Sequence, residues 1–271
     1  MNFFRALCLA GVVALVLPFG VGCRTVASSS EEVACVKPVT VVAKYAPGLV
    51  VDAQQSDARW ADAPVYELER FAPGGGRGPL TEKAMLAEAN PLKVTARVLY
   101  DDENLYVGCK VVNDDVMALR DQDQYPHFMA GDTFELFLKP VETNTYFELY
   151  TTPAAHRTTY VFPSRSVTGF GLEGLELQPF RPEVKAVAAV DGTLNDHSDK
   201  DRGWQAVLIV PRAFLARESG VPMDKDHAWT INLAGYFYSC YRSYNDFTAF
   251  PKPPTLDFHA YEYWAKLQLG E

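Results

Sequence analysis

The chain has 271 residues, 34 of them acidic and 25 basic, for a formal net charge of −9. An acidic chain without a basic tract repels phosphate backbones, which excludes nucleic acid as a partner. It shows no phosphate-binding glycine loop, nucleophile elbow or zinc-finger spacing, so binding takes precedence over catalysis as a functional class.

Residues 1–22 have the pattern of a secretory signal peptide. Arg5 is the one charged residue, and the apolar run from Ala6 to Phe19 is too short for a comfortable membrane span. Gly20-Val21-Gly22-Cys23 is similar to the cleavage box of bacterial lipoproteins, in which Cys23 becomes the lipidated first residue and the protein is held at the outer membrane, cell surface or periplasm. Cleavage after Thr25-Val26-Ala27 is the alternative and gives a freely secreted chain. Residues 23–40, with Ser28-Ser29-Ser30-Glu31-Glu32, form a polar tether. Residues 41–271 then read as one domain without internal repeats. Of the cysteines outside the signal and the lipidation box, Cys35, Cys109 and Cys240 remain. Cys109 and Cys240 either bridge two strands or stay as buried free thiols.

Strand signals dominate the domain. Lys93–Tyr100 alternates apolar and polar side chains, Asp101-Asp102-Glu103-Asn104 is a turn, and Leu105–Val112 completes a hairpin. Gly131–Leu138 and Tyr146–Thr151 form a second hairpin. Further strands are expected at Val184–Val190, Trp204–Val210, Trp229–Tyr238 and Tyr263–Leu269. Helix signals are limited to Ala84–Ala89, stopped by Pro91, and Arg212–Arg217, started by Pro211. The pattern defines an all-β, two-sheet antiparallel β-sandwich, jelly-roll or immunoglobulin-like, with one or two short helices. Trp60, Phe134, Leu136, Trp204, Leu208, Trp229 and Ile231 are its expected core.

In the second hairpin the non-core face carries Thr133, Glu135, Phe137, Tyr146, Glu148 and Tyr150. Rings that cover sugar C–H faces, set among carboxylates that accept hydroxyl hydrogen bonds, suit a saccharide-binding surface exposed to the outside. If Phe137 faces Tyr146, Glu135 faces Glu148, and two like charges so placed need a sugar, a cation or a shared proton between them. Alternation adds Asn232, Tyr236 and Tyr238 to the polar face of the Trp229–Tyr238 strand. Phe128 and Phe250 stand in loops, either as stacking platforms or as plugs of the core, and Arg242 sits within an aromatic stretch suited to stacking and charge-assisted hydrogen bonds.

The order of six motifs resembles the family 9 carbohydrate-binding module and its relatives. They are Trp60-Ala61-Asp62-Ala63, Leu99–Val107, Gly131–Phe137, Gly203-Trp204 leading to Ile209-Val210-Pro211, Trp229-Thr230-Ile231-Asn232, and Asp257-Phe258-His259. The resemblance spans roughly residues 45–271. It implies a β-sandwich that holds the end of a glycan between two aromatic rings, with Glu135 as the sugar-contacting glutamate. The chain departs from the family pattern where Phe128 and Met129, and later Phe247 and Phe250, stand in place of tryptophan, and where Gly235 replaces an arginine.

The expected function is therefore a non-catalytic carbohydrate-binding protein, with Glu135, Glu148, Phe128, Tyr150, Asn232, Tyr236, Tyr238, Arg242, Phe250 and His259 as binding residues, and with glycan-degrading enzymes on other chains as companions. His259 has a structural alternative, hydrogen-bonded to backbone. Two further functions are open. A glycoside hydrolase would use Glu135 and Glu148, and a haem b electron-transfer domain of the related sandwich type would draw axial ligands from Met117, Met129 and His259. No cofactor is expected. Asp101, Asp102, Glu103, Asp114 and Asp115 offer oxygens to calcium, but without a calcium-loop pattern.

Overall fold

Alternating side chains at period two put one row of each strand against its neighbour across the core, and twelve segments among the described residues do so. They are β1 (Thr40–Tyr45), β2 (Tyr66–Arg70), β3 (Lys93–Tyr100), β4 (Asn104–Val112), β5 (Thr133–Pro140), β6 (Tyr146–Thr151), β7 (Arg157–Phe162), β8 (Lys185–Asp191), β9 (Gly203–Pro211), β10 (Trp229–Phe237), β11 (Asp246–Phe250) and β12 (Ala265–Leu269). The computed structural model describes residues 39–72, 89–167 and 178–271. The signal, Cys23, Cys35, nearly all of the tether and all but the last residue of the expected Ala84–Ala89 helix lie outside them.

One hydrogen-bonded system folds over itself into two layers. The front layer runs β7–β6–β5–β10–β11, with β12 also beside β10, and the back layer runs β2–β3–β4–β9–β8. β11 pairs with β2, and β1 runs parallel first to β12 and then to β3, so the layers are joined at both places. All other pairings between these strands are antiparallel. The expected all-β sandwich is thus the observed architecture, with two short α-helices among the described residues. The helices are α1 (Ala58–Ala61) and α2 (Arg212–Ser219).

Between the layers, Phe134, Leu136, Leu138, Phe147, Leu149, Trp229, Ile231 and Leu233 from the front meet Val94, Ala96, Val98, Val107, Cys109, Val111, Ala206, Leu208 and Val210 from the back. Each large apolar side chain buried there contributes on the order of 1.5–3 kcal/mol. Six of the seven expected core residues lie in this cluster. Trp60 is also buried, but on the far side of the back layer, with Ala46, Ala63, Leu99, Tyr106 and Val207. α1 delivers it there, and Asp57 caps that helix by accepting from the Arg59 N–H at 3.0 Å.

The two turns read from sequence have clear causes. Asp101 closes the β3–β4 hairpin, because its Oδ1 accepts the N–H groups of Glu103 and Asn104 and its Oδ2 accepts the Tyr106 hydroxyl. Pro211 starts α2, and Gly220 ends it at φ 75°, a left-handed conformation that glycine adopts without penalty. Cys109 and Cys240 are both free. Cys109 is buried in the core and Cys240 exposed, which corrects the expectation of a bridge or of two buried thiols.

The expected outer face of the β5–β6 hairpin is not exposed. Residues 251–264 fold across it, and Phe137, Tyr146, Tyr150, Tyr160, Phe162, Ala234 and Ala249 form a second apolar cluster with Phe71, Phe258 and Trp264. The Trp264 indole donates to the Phe258 carbonyl at 3.0 Å and closes this roof on itself. A row of aromatic rings left in water would be a liability, and the roof removes it.

Candidate functional site

Beneath the roof remains a cleft of about 150 Å³, lined by Glu135, Phe137, Glu148, Tyr236, Leu256, Asp257, Phe258 and His259. Its floor comes from three adjacent strands. Glu135 and Phe137 rise from β5, Glu148 from β6 and Tyr236 from β10, all on the face opposite the core. Asp257, Phe258 and His259 come down from the roof.

The register differs from the one expected. Phe137 faces Glu148 and Glu135 faces Tyr150, so the two glutamates are diagonal rather than opposite neighbours. A slide of two residues keeps every side chain on its face, and alternation therefore could not distinguish the two pairings. Glu135 is 1% exposed and Glu148 6%. Burial first, and the Glu148 charge second, hold the Glu135 carboxyl well above the usual carboxylate range. Burial also raises Glu148, while His259 and the Tyr150 hydroxyl act the other way.

The polar groups of the cleft form a connected chain. The Tyr150 hydroxyl donates to Glu148 Oε1, His259 Nε2 lies 3.7 Å from Glu148 Oε2, and His259 Nδ1 shares a hydrogen bond of 2.9 Å with the Tyr146 hydroxyl. Thr133 donates to Glu135 Oε1 at 3.2 Å. Asp257 accepts the His259 N–H at 3.0 Å and pairs with Arg165 at 2.6 Å, which fixes the roof over the histidine. A site built this way can accept hydroxyl hydrogen bonds on carboxylates, donate from imidazole and pack ring faces against Tyr236 and Phe258.

Four of the expected residues therefore line the cleft: Glu135, Glu148, Tyr236 and His259. Tyr150 lies below it as the donor to Glu148. Phe128 stands behind, with its ring 5.4 Å from that of Tyr236 and 6.3 Å from that of Tyr150, and the Tyr238 hydroxyl donates to the Phe128 carbonyl. His127 anchors that turn through Thr158 at 2.8 Å and Gln122 at 2.9 Å, and burial lowers its pKa to about 4, so it is neutral near pH 7. Asn232 is fully buried across from Phe137, and neither polar atom of its side chain has a partner. Such an orphaned amide costs about 1–3 kcal/mol.

Two residues belong elsewhere. Arg242 is buried in an ion-pair network with Asp114 at 2.6 Å and Asp246 at 3.3 Å, and it donates to Asn113 at 2.8 Å. Phe250 pairs with Leu233 on β10 and turns to the core, where its ring lies 5.2 Å from that of Tyr66. Phe247, three positions earlier and so on the opposite side of the strand, takes the cleft side and lies edge-on to Tyr236 at 5.0 Å. Leu256, which no sequence motif marks, also reaches the cleft from the roof, a segment whose aromatic density is the available signal.

The hydrolase expectation placed the carboxylates opposite one another, and they are not. The cleft falls well below the ~300–1,000 Å³ of pockets for drug-sized ligands, and a porphyrin needs more than that. Met129 is half exposed and outside the cleft. Of the five acids considered for calcium, Asp101 has protein partners in its turn, Asp114 has Arg242, and Asp115 has His197 at 2.8 Å. Asp115 has a second relation that the sequence did not reveal. Its carboxylate, His197 and Cys240 bring one ligand atom each to within 4.8 Å of one another.

The molecule is thus a β-sandwich with a carboxylate- and ring-lined cleft on the outer side of one layer. Residues 51–167 match the family described as carbohydrate family 9 binding domain-like, a span that includes β2 through β7, Glu135 and Glu148. Over that segment the chain is similar to the family. Its fold is similar to that of a Bacteroides uniformis protein provisionally described as carbohydrate-binding, at 14% identity and TM-score 0.59 over 86% of this chain and 100% of that one. It is also similar to a family 9 carbohydrate-binding module from Caldicellulosiruptor kristjanssonii in complex with cellotriose, at 9% identity and TM-score 0.50 over 85% of this chain and 93% of the other. No curated protein matches the chain.

Proposed function

We propose that this chain is an exported, lipid-anchored, non-catalytic carbohydrate-binding protein that takes the end of a glycan into the cleft beneath residues 251–264. The observation that carries this is the convergence of Glu135, Glu148 and His259 with the rings of Tyr236 and Phe258 in one small recess. A recess of about 150 Å³ supports a single terminal sugar as the occupant rather than a length of chain. Its polar groups accept and donate at once, as a ring of hydroxyls requires. The neighbouring structure from Caldicellulosiruptor kristjanssonii, with cellotriose bound, supports a β-linked glucan as the first ligand to try. Enzymes on other chains would act on the captured polymer.

A glycan array of the parent and of Glu135→Ala tests the site. Removing this carboxyl leaves a buried sugar hydroxyl without its partner, a loss of about 1–3 kcal/mol that should weaken binding of the best ligand by ~10–100-fold. Equal affinity of the two proteins would take Glu135 out of the site.

A further inference from the structure

Three loops meet at the end of the sandwich where β4, β9 and β10 present their loops. Asp115 follows β4, His197 lies between β8 and β9, and Cys240 follows β10, so both layers contribute. We propose that Asp115, His197 and Cys240 form a binding site for a borderline-soft divalent transition metal, with Zn²⁺ as the expected occupant.

The donor set carries the argument. A carboxylate oxygen, an imidazole nitrogen and a thiolate sulfur are the three ligand types that Zn²⁺ takes, whereas Ca²⁺ and Mg²⁺ take oxygen. Metal–ligand bonds of about 2.0–2.3 Å place tetrahedral ligands roughly 3.3–3.8 Å apart. The three atoms already lie within 4.8 Å, and Asp115 Oδ1 and His197 Nδ1 stand at 2.8 Å, so the metal needs a small parting of two side chains. His197 and Cys240 are both exposed and free to make it.

Asp115 is the fixed point. It is fully buried, its Oδ2 accepts the Cys240 N–H at 2.6 Å, and its own carbonyl accepts the Asn113 side-chain amide at 2.8 Å. The Tyr241 hydroxyl donates to the His197 carbonyl at 3.2 Å, which ties the second and third loops together. Supports of this kind orient ligands in metal sites. Three protein ligands leave the fourth tetrahedral position for water or an exogenous donor. Elsewhere in the described residues Asp114 is committed to Arg242 and Asp201 to the N–H groups of Val116 and Thr193, so this donor set stands apart from the acids that hold the loops.

Titration of the reduced, metal-stripped full chain with Co²⁺ alone, followed by competition with Zn²⁺, tests the site. One equivalent should bind with a sulfur-to-cobalt charge-transfer band that Zn²⁺ abolishes. Cys240→Ser should remove the band, and Cys240→Ser and His197→Ala should each weaken Zn²⁺ binding beyond the ~10–100-fold typical of outer-shell changes. Both positions are exposed, so circular dichroism of the variants should match the parent. A parent that binds no more metal than Cys240→Ser overturns the proposal. So does a His197→Ala protein that keeps parental affinity and band, because the thiol would then be acting alone.

Discussion

Glu135 and Glu148 lie under protein with few donors to satisfy them. Burial raises Glu135 well above its unfolded value, so the folded state binds that proton more tightly. Its contribution to stability is fully present below the unfolded value of about 4.3 and is lost as pH rises through the folded value. Glu135→Gln should therefore gain stability relative to the parent between mildly acid and mildly alkaline pH. Urea unfolding of both proteins at the two ends checks this, and an offset independent of pH would contradict it. At this scale the sequence disclosed which residues share the face, and Glu135, Glu148, Tyr236 and His259 do converge. It did not disclose the register of β5 on β6, because a two-residue slide leaves the pattern unchanged. Nor could it disclose the commitments of Arg242, whose partners Asp114 and Asp246 are chosen by tertiary packing.

At the scale of elements, the site depends on how β5 begins. Gly131 has φ 136°, in a region that residues with a side chain rarely occupy, and a Cβ there would run into the Met117 carbonyl oxygen. The next residue, Asp132, accepts from the Tyr238 N–H at 2.9 Å, the Asn113 amide at 3.0 Å and the Trp204 indole at 3.1 Å, which locks the loop before β5 to both layers. Gly131→Ala should cost ~2 kcal/mol or more in denaturant unfolding, given the ~1–3 kcal/mol of a strained backbone alone. A loss below a few tenths of a kcal/mol would show that the turn relaxes. Strands with clean alternation, such as β3, β4, β6 and β9, were legible to within a residue or so. β1, β2, β7 and β11 were passed over, because each is short and sits among loop-like residues. The roof was missed for another reason: residues 251–264 carry no periodicity, and only the need to cover the rings below draws them across the sheet.

For the molecule as a whole, the sandwich class was legible because many short alternating segments allow little else, and the six motifs lie in their expected order along it. The leader and Cys23 belong to the proposed export route, and their test is chemical. In a bacterial host, labelled palmitate should enter the parent and not Cys23→Ser, which should leave the membrane fraction. Label in neither protein would favour free secretion. The central claim is that a glycan end is held between the β5–β6 face and residues 251–264. It is tested most directly by the crystal structure of the complex with the best array ligand. The account predicts a terminal ring against Tyr236 and Phe258, with hydroxyls on Glu135, Glu148 and His259. A sugar bound instead in the larger groove of about 840 Å³ beside Asn90, Asn113, Lys200 and Tyr241 would contradict it.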